Sequence, residues 1–92
     1  MAEIRIAHAG GDDYTVEVRE GSSSTRHRVT VPSSAHTRFG GAAPVEVLLE
    51  QSFRFLLERE PKESILRQFE ISVIASYFPD YAHEIRQRLE TA

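Results

Sequence analysis

Cysteine and tryptophan are absent from this 92-residue chain, and methionine occurs once. Without cysteine there is neither a disulfide framework nor a thiolate metal site, so stability must come from apolar burial or from self-association. Thiol redox chemistry is excluded with them. No charged segment followed by a long apolar run opens the sequence, and uninterrupted apolar stretches last only a few residues. Neither secretion nor a membrane span is signalled, and a cytoplasmic location is the expectation. A strong charge imbalance is lacking too, since the net charge is −3. What surplus exists is local: residues 1–43 hold five arginines against five acids, and residues 44–92 hold six basic residues against nine acids. An acidic total disfavours strong non-specific nucleic-acid binding and leaves room only for a local basic stripe.

Catalytic and cofactor patterns are missing as well. No glycine-rich run ends in Lys followed by Ser or Thr, and Gly40-Gly41 is followed by Ala-Ala-Pro, so no phosphate cradle is encoded. The four histidines, His8, His27, His36 and His83, never stand at the i, i+2 or i, i+4 spacing that places two ligands on one strand or helix face. Ser33 and Ser34 lie near His36, but no glycine elbow frames either serine, so no strained nucleophile is implied. The expectation is a non-enzymatic protein with no metal and no cofactor.

What is present is a patterned globular chain of one domain, residues 1–92. Three segments alternate with period two, each reading as a half-buried strand: Ile4 and Ile6 at about 3–8, Tyr14, Val16 and Val18 at about 14–20, and His27, Val29 and Val31 at about 25–31. Short Gly, Asp and Ser connectors suit antiparallel hairpins. A three-stranded antiparallel meander is predicted, with one apolar face and one face carrying Arg5, Glu17, Arg19, Arg26 and Arg28; His27 is placed at the edge of the apolar face. Residues 32–43 break every period, hold Phe39 as their one large apolar residue, and read as a loop.

From Pro44 the period becomes helical, and three or four helices are expected at about 44–60, 63–69, 72–78 and 80–89. In the first, Val45, Leu48, Leu49, Ser52, Phe53, Phe55 and Leu56 form an arc wider than the ~100° stripe that covers one neighbour, so this helix is the predicted centre of an α+β fold. Ile65, Leu66, Phe69, Val73, Ile74, Tyr77 and Phe78 recur at three- and four-residue intervals, and the aromatics among them are assigned to the core. Val47 and Leu57 fall outside the main arc. That apolar surplus, more than a three-stranded sheet can cover, motivates the expectation of a homodimer and of a protein-interaction role.

Two local resemblances stand beside this reading. Gly10-Gly11-Asp12-Asp13-Tyr14 resembles the signature of diguanylate cyclases over five residues, in a chain much shorter than that domain. Its expected role is a hairpin turn in which glycine supplies positive φ and aspartate accepts local hydrogen bonds. The strand TRHRVTVP followed by PVEVLLEQSFRFLLERE resembles ribbon-helix-helix repressors and antitoxins over residues 25–60. That resemblance implies Arg26, Arg28 and Thr30 as nucleic-acid or partner contacts, presented by paired strands to the major groove. The alternative use of the same arginines is cross-strand pairing with Glu17 and Glu3.

Overall fold

In a computed structural model that describes residues 2–91, every second side chain of residues 3–30 turns to one side. Three antiparallel strands result: β1 (Glu3–Gly10), β2 (Asp13–Glu20) and β3 (Ser23–Thr30). Val16, Val18 and Val29 are fully buried on the shared apolar face, with Ile4, Ile6 and Tyr14 packed beside them. The GGDD stretch is the β1–β2 turn. Gly10 and Gly11 both have positive φ, at 117° and 55°, which a Cβ would penalise.

The sheet has four strands, not three. Residues 63–69, expected as a helix, form a short 3₁₀ turn (Lys62–Ser64) and then β4 (Gln68–Glu70), which runs parallel to β3. The Arg28 amide donates to the Arg67 carbonyl at 2.7 Å, and the Ile71 amide to the Thr30 carbonyl at 3.0 Å. Ile65, Phe69 and Ile71 share parity, so the same residues fit a strand period as well as a helical one. The unpaired edge of β3 decides between them, because buried backbone amides require partners. The sheet order is β1-β2-β3-β4.

Residues 32–43 are likewise not a plain loop. Ser33–Ala35 opens a helical segment, α1, that continues as a wide π-type turn over His36–Gly40. Ala35 and Phe39, four residues apart, are both buried, and the Phe39 ring lies 5.1 Å from that of Tyr81. Burial overrides poor helix propensity here. Gly40 lets the segment approach closely, since a Cβ there would sit 3.1 Å from His36 and 3.2 Å from Leu48.

The remaining helices are α2 (Val45–Leu57), α3 (Val73–Tyr77) and α4 (Tyr81–Thr91). The wide arc of α2 has a direct cause: Phe53 faces the sheet, 5.3 Å from the His27 ring and 6.2 Å from Phe69, while Phe55 faces α4, 5.4 Å from Tyr81. Leu48, Phe55, Leu56 and Phe69 belong to one core cluster. α2 ends at Leu57 rather than at 60, and the amides of Arg59 and Glu60 turn back to the Leu56 carbonyl ahead of Pro61. Among the described residues no helix is long and apolar enough to cross a membrane.

Candidate interaction surfaces

Arg26, Arg28 and Thr30 lie together on the open face of the sheet, opposite the helices. Register places Arg5, Glu17 and Arg26 in one row across β1, β2 and β3, so charges alternate from strand to strand. The face carries Arg5, Arg19, Arg26 and Arg28 against Glu3, Asp13, Glu17 and Glu70, and is therefore neutral. Its ion pairs differ from the expected ones: Arg28 meets Asp13 at 3.3 Å, and Arg5 meets Glu3 of its own strand at 3.1 Å. Instead of the expected local turn bond, the Asp13 carboxylate takes the Thr30 hydroxyl of β3 at 2.7 Å. That bond, with the Arg28 charge, holds its carboxyl below the ordinary range. Both edges of β3 are occupied, so pairing β3 with a second subunit in ribbon-helix-helix fashion requires β4 to be displaced.

The interior holds a second set of polar groups. His27 is not at the edge of the apolar face but buried in it, 1% exposed. Its Nδ1 donates to the Leu66 carbonyl at 2.8 Å, since a carbonyl can only accept, and its Nε2 then accepts from the Thr25 hydroxyl at 2.8 Å. The ring is neutral, and burial lowers its pKa. Ser52 and Tyr81 share a buried hydroxyl pair, while Lys62 ties the 3₁₀ turn to Glu20 at 3.3 Å and to Glu63 at 2.9 Å. His36 binds the Ala43 carbonyl at 2.6 Å and has no hydrogen bond to Ser33 or Ser34. No group of three or more His, Asp or Glu among the described residues is placed to hold a metal ion.

A largely apolar groove of 360 Å³ lies between the C-terminal end of α2 and α3. Leu56, Ile65 and Ile74 form its buried floor, and Leu66 and Tyr77, 47% and 66% exposed, form its rim. Glu60 also lines it, and burial against this apolar surface raises its carboxyl pKa. Periodicity groups Leu66 with the helical set from Ile65 to Phe78 and assigns Tyr77 to the core, yet both are exposed. Each adjoins a second large apolar residue, Ile65 and Phe78, and neighbours on a strand or helix do not share a face. That adjacency was the available signal that one of each pair faces out.

A further exposed feature is the outer edge of β1. No strand pairs with it among the described residues, and it contains neither the lysine nor the proline that commonly blunts an edge. Its one irregularity, between His8 and Gly10, leaves Glu3–Ala7 regular. Ile4 and Ile6 are only half-buried above α2.

No protein-family model, curated protein or solved structure matches the chain.

Proposed function

We propose that the protein is a non-enzymatic interaction module that self-associates through β1. The observation that carries this reading is the outer edge of β1, regular over Glu3–Ala7 and paired with no strand among the described residues. An edge of this kind presents a row of amide and carbonyl groups ready to pair with another strand. A two-fold axis between copies pairs β1 with itself in antiparallel fashion, and residue identity then favours one register. Centred on Ile4, it sets Glu3 opposite the partner's Arg5 and apolar residues opposite each other on the other face. Centring on Arg5 instead would bring two like charges together.

The reading of Arg26, Arg28 and Thr30 as a nucleic-acid surface has less support, because their face is neutral and Asp13 engages two of the three. A phosphate-binding surface draws its affinity from unneutralised cations.

Size-exclusion chromatography with light scattering at micromolar concentration tests the proposal. Twice the 10.4 kDa chain mass is expected. Ile4→Lys, which directs a charge into the seam, should give the single-chain mass with an unchanged circular-dichroism spectrum. A wild-type monomer throughout the micromolar range would contradict self-association.

A further inference from the structure

We infer that the groove between α2 and α3 is a docking site for a partner-protein segment presenting a large apolar side chain beside an arginine or lysine. The inference is independent of the β1 seam. The groove is lined in part by Phe69 of β4, the opposite edge strand, so a dimer formed through β1 leaves it open.

The apolar half of the specificity comes from Leu66 and Tyr77 above a floor of buried side chains. A volume of 360 Å³ is at the small end of the ~300–1,000 Å³ typical of ligand pockets, matching one or two large side chains rather than a whole domain. The cationic half comes from Glu60. Among the described residues no Lys, Arg or His nitrogen lies within 4.0 Å of its carboxylate, although cations are near in sequence. Arg59 is engaged by Asp80 at 3.0 Å and by Glu58 at 3.7 Å, and Lys62 by Glu20 and Glu63. Partial burial against these walls already disfavours its charged form, and a cation laid beside it would gain a charge-assisted hydrogen bond.

Glu60 lies just beyond the C-terminal end of α2, where Arg59 donates to the Phe55 carbonyl at 3.2 Å and is itself engaged by Asp80 and Glu58. Glu60 is the one charged side chain among the residues that line the groove. Charge complementarity therefore selects a basic segment over an acidic one. An arginine or lysine laid across the rim would reach Glu60 while its neighbouring apolar side chain enters between Leu66 and Tyr77.

The test uses the isotope-labelled full chain and three synthetic peptides that share a Leu-Phe core flanked by arginine, by glutamine or by glutamate. The arginine-flanked peptide should shift the amide resonances of Leu66, Ile74 and Tyr77. Replacing its arginines by glutamine should weaken binding about tenfold, as expected for loss of a charge-assisted hydrogen bond, and glutamate should abolish it. Glu60→Gln should lower affinity for the arginine-flanked peptide about tenfold and leave the glutamine-flanked one unchanged. Equal loss for both peptides would mean a structural effect and would overturn the inference. So would an arginine-flanked peptide that moves no groove resonance at millimolar concentration. Groove resonances that move with protein concentration alone would identify a second copy of this chain as the occupant, also against the inference.

Discussion

The imidazole of His27 on β3 and the backbone carbonyl of Leu66 are joined at 2.8 Å, across 39 residues of sequence. This bond fixes the segment that carries the groove rim to the centre of the sheet. Because burial lowers the His27 pKa in the folded state, the unfolded chain takes up a proton first as pH falls below the ordinary value of about 6.5. The stabilisation is complete above that value and is lost as pH falls toward the folded-state value.

Denaturant unfolding at a series of pH values between 8 and 5 should therefore show decreasing stability, with a slope that His27→Gln reduces. The lowered carboxyl pKa values of Asp13, Glu58 and Glu63 act in the same direction at lower pH, and the raised value of Glu60 acts in the opposite one. All four are common to both proteins and cancel in the comparison. Parallel profiles for wild type and variant would show that His27 is not the titrating group.

Ser52 and Tyr81 provide a second interior link, between α2 and α4. Their hydroxyl oxygens are 2.7 Å apart, both residues are fully buried, and burial pushes the Tyr81 phenol above its ordinary pKa. Tyr81→Phe and Ser52→Ala should each cost about 1–3 kcal/mol, because each strands a buried hydroxyl-bonding partner. The double variant should cost less than the sum of the two. Strict additivity in thermal or denaturant unfolding would mean that the hydroxyls do not depend on each other.

Gly41 has φ 58° and ψ −123°, and the Ala43 amide closes the turn onto the Gly40 carbonyl at 3.0 Å. This is the first central position of a type II′ turn, which favours glycine. Gly41→Ala should cost about 1–2 kcal/mol by strain, since no atom crowds the added carbon. D-alanine introduced at position 41 by chemical synthesis should restore stability. An L-alanine variant as stable as wild type would contradict the turn assignment.

How far the sequence revealed this architecture depended on whether a segment had one plausible period. In β1 to β3 the alternation of Ile4 with Ile6, Val16 with Val18 and His27 with Val29 fits a strand and nothing else, and glycine marks the turns. The wide arc of α2 was equally readable, because Phe53 and Phe55 required two different neighbours. At residues 65–71, Ile65, Phe69 and Ile71 satisfy either period, and only the unpaired edge of β3, a tertiary fact, selects the strand. At 33–40 local propensity pointed away from a helix, and the burial of Phe39 against Tyr81 outweighed it. The groove was hidden in part: the adjacency of Ile65 with Leu66 and of Tyr77 with Phe78 implies that one of each pair faces out, but which one depends on how β4 and α3 pack.

The most direct test of self-association through β1 is amide hydrogen exchange measured at low and high protein concentration. In β1 the alternate amides of residues 3–7 that do not bond to β2 should be protected at high concentration and lose protection on dilution. Amides on the outer edge of β4 should exchange alike at both concentrations. Concentration-independent exchange along β1, in a protein whose β2 and β3 amides remain protected, would contradict pairing at this edge.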